Sequence, residues 1–251
     1  MERLDSITFE ITNCIGIITM DLPPENYLPV PGFIPLKHFE KWIATENLKG
    51  LIFRGAGKHF SAGGNLGKIF EAGKDPQSIH RLVGEGIELL NFIQCLEIPV
   101  IAAINRVCFG GGLEIALACH MRIASENALL AFPEVNQNLM PGMGGTIRLP
   151  GVIGLPDTIK MLLGGDMLNA MEGQKLGLID YIAPKDQAFE FSVNLMQKMT
   201  HDRPLKVINS IMKSLRNSRI MSRAEAMAEE TRLFCSLAID EAERRKSEKP
   251  A

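Results

Sequence analysis

The sequence predicts an α/β fold that ends in a helical region. Apolar, β-branched runs at 48–54, 99–104, 121–124 and 128–132 are short and uninterrupted, and they read as strands. Helical-period segments alternate with them. Glycine-rich turns lead into such segments at 55–66, 110–112 and 141–146. From Gln187 onward every pattern is helical. The reading therefore divides the chain into a core, 1–186, that carries the site, and a helical region, 187–251, that covers its own core or a neighbouring subunit.

In chain order, Ser6–Ile11 and Ile15–Met20 are β-rich runs joined by Thr-Asn-Cys, which predicts a hairpin. Residues 21–35 hold five prolines. Proline lacks an N–H and restricts its predecessor, so this is extended loop. A short helix is expected over Leu36–Thr45 and a buried strand over Leu48–Arg54. The turn at 55–66 is no phosphate-binding P-loop, because position 52 is not glycine and His59 stands where Ser or Thr belongs. Leu82–Leu96 reads as an amphipathic helix, then Pro99–Ile104 as a strand, and Leu113–His120 as a helix with apolar residues at 113, 116 and 117. Strands are expected at Met121–Ala124, Ala128–Phe132 and Leu178–Ile182, with helices over 157–164 and 170–177. Ser222-Arg-Ala-Glu225 has capping-box spacing, and the basic end, Arg244 to Lys246 with Lys249, suits a helix C-terminus or a solvated surface.

At 251 residues the chain can bury a substantial core. Its net charge of −2 shows no basic surplus, so neither nucleic acid nor an anionic membrane is an expected partner. No apolar run approaches the roughly 18 residues that span a bilayer. The five cysteines, at 14, 95, 108, 119 and 235, form no Cys-x-x-Cys pair, which argues against a disulfide framework or a zinc site. His59, His80 and His120 lack metal-ligand spacing and are read as structural. The first residues carry both charge signs and show no leader pattern. The expected setting is cytoplasmic, or an organelle matrix.

The chemistry concentrates at Asn105–Glu114. A buried strand runs into Gly110-Gly-Gly112 and then a helix start. A helix start leaves N–H groups without partners and carries partial positive charge, and glycine lets a ligand come close. Glu114 sits in that first turn. The pattern is an anion-stabilising turn with an acid/base beside it. Position 115 is Ile where a dinucleotide fingerprint needs its third glycine.

An ordered set of segments extends this. Gly55-Ala-Gly57, Phe60-Ser-Ala-Gly-Gly-Asn-Leu66, Pro99–Asn105, Gly110–Cys119, Phe132-Pro-Glu134, Pro141-Gly-Met-Gly-Gly-Thr146 and Arg148-Leu149 occur in the order, and close to the spacing, of the crotonase (enoyl-CoA hydratase/isomerase) superfamily, which the chain resembles over roughly 48–185. The resemblance implies a spiral of strand-strand-helix units, with C-terminal helices supporting a homotrimer or dimer of trimers. It implies a thioester substrate, usually acyl-CoA, with no separate cofactor. The oxyanion-hole N–H groups would fall on Gly64 and Gly111, and the hydratases' two glutamates on Glu114 and Glu134. Ala62, Asn65, Leu66 and Gly142 would lie along the substrate. Glu134 would be the principal acid and Glu114 the group that activates water.

Asn65 replaces a frequent Asp, which favours a structural role for it. The Pro-rich 21–35 segment, the short helix after it and the short C-terminal end depart from the family, and point to a carrier-protein-bound acyl group as the alternative to acyl-CoA. Hydration of a 2-enoyl thioester is the expected reaction. Isomerisation of the double bond is the second reading, and dehydratase, decarboxylase or hydrolase chemistry in polyketide or aromatic-acid metabolism the third. A non-catalytic scaffold on the same fold remains the reading of a different class.

Overall fold

The computed structural model describes residues 2–45 and 47–247. Lys249 of the basic end lies outside them. The expected hairpin is present as β2 (Ile7–Thr12) and β3 (Ile15–Met20), preceded by β1 (Glu2–Leu4) on its edge. After the Pro-rich loop come α1 (Leu36–Ile43), β4 (Gly50–Gly55), α2 (Leu66–Ala72) and α3 (Pro76–Gln94). Helix α3 starts at Pro76, ahead of the expected Leu82. The cause is local: Asp75 caps it by accepting from the Gln77 and Ser78 N–H groups, and Pro76 occupies its first position.

Next are β5 (Val100–Ile104), β6 (Val107–Phe109), α4 (Gly111–Ala118), β7 (Met121–Ser125) and β8 (Leu129–Ala131). A 3₁₀ turn at Pro133–Gln137 leads to α5 (Gly145–Arg148), α6 (Pro150–Ile153) and α7 (Leu155–Gly164). Then follow β9 (Leu168–Asn169), α8 (Ala170–Lys175), β10 (Tyr181–Ala183), α9 (Ala188–Thr200), α10 (Leu205–Ile220) and α11 (Arg223–Ser247). Strand β10 begins later than expected because the Leu178 and Ile179 N–H groups turn back to the Gly173 carbonyl.

The architecture is the strand-strand-helix spiral. One seven-stranded sheet has the order β1-β2-β3-β4-β5-β7-β10, parallel from β3 onward, and a small sheet has the order β6-β8-β9. Strands β5 and β6 then α4, and β7 and β8 then α5 to α7, each contribute one strand to each sheet. Side chains alternate across the large sheet. Leu51, Phe53, Val100, Ala102 and Ile104 join the main core on one face, while Ile52, Ile101 and Ala103 join a second cluster with Ala188 and Met196 of α9 on the other. A strand covered on both faces reads as a continuous apolar run, which is why these segments were legible.

Helix α9 thus begins the helical region as part of the core. Helix α11 lies against α10, has no buried residue, and is capped by the expected Ser222–Glu225 box. In helix α4 all eight residues are buried, not only the apolar positions 113, 116 and 117, because it is enclosed by α3, α5, β6 and the large sheet. Among the described residues no helix is long and apolar enough to cross a membrane.

Candidate active site

Two loops meet at the N-terminus of α4. The first, 61–65, is held on both sides. Towards the small sheet, the Phe109 N–H donates to the Ser61 carbonyl and Ser61 N–H to the Val107 carbonyl. Towards the Pro-rich segment, Ala62 N–H donates to Glu25, Leu28 N–H to Gly63, and Asn65 N–H to Leu28. Asn26, 1% exposed, donates its amide to the Ala56 and His59 carbonyls and accepts from Leu22 N–H, while the Ser61 hydroxyl donates to its carbonyl. The Pro-rich segment is not extended throughout: it turns at 23–26, and Glu25, Asn26 and Leu28 are the residues that hold the 61–65 loop. Asn26 was not singled out by the sequence reading; an Asn after two prolines, with a left-handed backbone (φ 55°), was the available signal.

The second loop is Gly110–Gly112. Gly110 has φ +48°, a region L-residues with side chains avoid, and a methyl there would lie 2.7 Å from Glu134 Oε1. Gly112 lets α4 approach the first loop: its Cβ would stand 2.8 Å from the Ser61 carbonyl. Gly64 and Gly111 are adjacent across this contact, a Cβ on Gly111 standing 3.7 Å from the Gly64 nitrogen. Among the described residues neither the Gly64 nor the Gly111 N–H has a hydrogen-bond acceptor in the protein. Leu28, Ile69 and Met143 pack against these glycines.

Glu114, 2% exposed on α4, accepts from the Met143 N–H at 2.7 Å and the Gly145 N–H at 2.8 Å, both at Oε1. Burial, the largest cause, leaves its proton affinity raised overall, opposed by the Gly145 and Met143 amides, the Arg148 charge and the Gly142 amide. Glu134 lies in the 3₁₀ turn, and its buried Oε2 has no partner among the described residues. Burial pushes Glu134 up to about 7, opposed by its own amide and reinforced by the like charge of Glu114. The paired repulsion falls on Glu134, the acid with fewer donors.

Among the other predicted positions, Asn65 caps α2 by accepting from Lys68 N–H, the structural use expected of it. Leu66, at the start of α2, is partly exposed, and Ala62 lies between the two anchored strands of backbone. Gly142 is exposed beside Glu114, with open space where a side chain would be. His120 Nδ1 accepts from Val100 N–H, its Nε2 lies 3.2 Å from the Gln94 carbonyl, and burial lowers its proton affinity. The His120 ring is a structural link, as read from the sequence. Among the described residues no three His, Cys, Asp or Glu side chains gather as a metal site would require.

Fold and site together define a crotonase-fold protein with paired acids at a double glycine turn. The chain belongs to the enoyl-CoA hydratase/isomerase family, whose model matches residues 10–249. Among solved structures it is similar to DspI of Pseudomonas aeruginosa, at 28% identity and TM-score 0.84 over 94% of this chain and 97% of that one. It is also similar to enoyl-CoA hydratase subunit I of Geobacillus kaustophilus, at 26% identity and TM-score 0.83 over 98% and 97% of the two chains. An enoyl-CoA hydratase from Thermoplasma volcanium shares the fold, at 24% identity and TM-score 0.84 over 98% of each chain.

Proposed function

We propose that this chain is an enoyl-CoA hydratase-like lyase that adds water reversibly to a 2-enoyl-CoA thioester. The observation that carries the reading is the contrast between two acids at one glycine turn: Glu114 Oε1 held by two amides, and Glu134 with an unpartnered oxygen and a proton affinity raised to about 7. At neutral pH such a pair shares one proton, carried by Glu134. Glu114 then takes a proton from water as its oxygen attacks Cβ, and Glu134 delivers a proton to Cα. The Gly64 and Gly111 N–H groups receive the thioester oxygen as it becomes an enolate, and one such donor is typically worth about 3–4 kcal/mol of barrier. Ala62, Asn65, Leu66 and Gly142 flank the acyl-thioester path, and the substrate itself supplies the CoA.

Incubation with 2-enoyl-, 3-enoyl- and 3-hydroxyacyl-CoAs in H₂¹⁸O, read by product mass, tests this. Label entering the 3-hydroxy product is expected. Label-free conversion of 3-enoyl substrates supports the isomerase reading instead, which needs one carboxylate. Failure on CoA esters with turnover of carrier-protein thioesters would move the substrate to that class.

The assembly we propose is a homotrimer or dimer of trimers. It is supported by apolar side chains left exposed on α7 (Leu155, Leu163), α10 (Leu215, Ile220) and α11 (Phe234, Ile239). Light scattering after gel filtration is expected to give three or six chains, and a monomer would remove this part of the reading.

A further inference from the structure

The 143–145 turn that supplies both amides to Glu114 has little support of its own. Gly144 is left-handed (φ +98°), α5 has only four residues, and no side chain caps it. The Met143 side chain packs on Gly86 of α3, and Arg148 makes the polar link between this turn and α3. The Arg148 guanidinium donates from Nη1 to the Met143 carbonyl at 2.7 Å, from Nη2 to Asn91 Oδ1 at 2.7 Å and from Nε to Gln94 Oε1 at 2.9 Å. Met143 is thereby gripped twice: its carbonyl by Arg148 and its N–H by Glu114.

We infer that Arg148 is a positioning residue for Glu114, clamping the Met143–Gly145 turn to α3 so that its two amides fix the carboxylate. The inference rests on the proposed acid/base role of Glu114 for its kinetic consequence, but not for its geometry. A planar fork with five donors can satisfy three acceptors in one plane, which a lysine ammonium on a flexible stem cannot reproduce. The positive charge acts in the same direction, favouring ionised Glu114. The titratable groups that bear on this pair are Glu134 from the 3₁₀ turn and Cys95 at the end of α3, which faces Arg148.

A purely structural arginine would lower thermal stability and leave chemistry intact. A positioning arginine changes kcat. Replacing Arg148→Gln is expected to lower kcat on the order of 10–100-fold with KM within about threefold, the size of effect a small misplacement of a reacting group produces. Arg148→Lys, which keeps the charge, is expected to restore part of the loss. The Glu114 titration, read in substrate-free protein by infrared difference against Glu114→Gln, is expected to move to higher pH in Arg148→Gln. The Asn91→Ala, Gln94→Ala double variant removes the anchor and keeps the charge, so it should lower kcat and, by loosening the two amides, still move that titration to higher pH.

A folded Arg148→Gln protein with wild-type kcat and an unmoved Glu114 midpoint overturns the proposal, as does a loss confined to KM. If Arg148→Gln does not fold, the double variant decides, and an unchanged kcat there is the overturning result. The infrared reading needs no turnover. Wild-type protein inactive on every thioester would therefore sink the hydratase reading, while a midpoint shifted in the charge-retaining double variant still upheld the clamp.

Discussion

Helix α4 and the 3₁₀ turn at Pro133–Gln137 each present one glutamate to the same glycine turn, and they hold it in opposite ways. Glu114 sits on a helix buried on all sides, and two amides hold one of its oxygens. Glu134 sits on a short turn that none of its residues buries fully, and its inner oxygen has no donor. Donors stabilise a carboxylate, and burial without donors stabilises the acid. Burial raises the proton affinity of both side chains; the Gly145, Met143 and Gly142 amides oppose the rise at Glu114, and only its own amide opposes it at Glu134. The same division assigns base and acid in the proposed hydration.

The largest expected effect comes from removing either acid. Glu134→Gln and Glu114→Gln should each lower kcat for hydration by about 10²–10⁴-fold, the usual contribution of a positioned acid or base. In Glu134→Gln the alkaline limb of the pH–rate profile near 7 should vanish, whereas in Glu114→Gln it should persist. Equal pH profiles for the two variants would erase the contrast between the turns.

Gly110→Ala is expected to act next most strongly. The methyl would enter a left-handed backbone and press on Glu134 Oε1 at 2.7 Å, so stability should fall by about 1–3 kcal/mol and kcat with it. Urea unfolding beside initial-rate measurements checks both. A loss of stability with full activity would show that Glu134 has room to move.

The smallest effect is on stability against pH. The folded-state midpoint of Glu134 lies above the ordinary carboxylate range, at about 7. A raised midpoint contributes stability that is whole at acid pH and lost as pH climbs through 7. Because Glu134 is partly open to solvent, the loss, which builds between the ordinary value of 4.5 and about 7, should be only ~1 kcal/mol. Glu134→Gln should lack that component in paired urea titrations, and an identical slope in both proteins would place Glu134 in solvent.

Local pattern made the two-faced strands, the capping box at Ser222 and the run from Gly110 to Glu114 readable, because their signals lie within one turn or one strand of sequence. The Asp75-Pro76 cap was equally local and was overlooked, which set the start of α3 too late. Strand β6 was hidden inside the presumed turn, since three residues carry too little periodicity to declare a strand. The closeness of Gly64 to Gly111 and of Glu114 to Glu134 came into view only through family resemblance. Nothing within either segment encodes the other's position.

By itself the sequence determined which stretches form strands and helices, that the first two long strands pair as a hairpin, and that a bare glycine turn carries an acid. Only the tertiary structure decided which amides reach Glu114, that Glu25, Asn26 and Leu28 hold the 61–65 loop, and that Arg148 ties the 143–145 turn to α3. The reason is range. Propensity and periodicity act over a few neighbouring residues, whereas the protonation of a buried carboxylate depends on donors and charges some 20 to 34 positions away along the chain, brought close by packing alone.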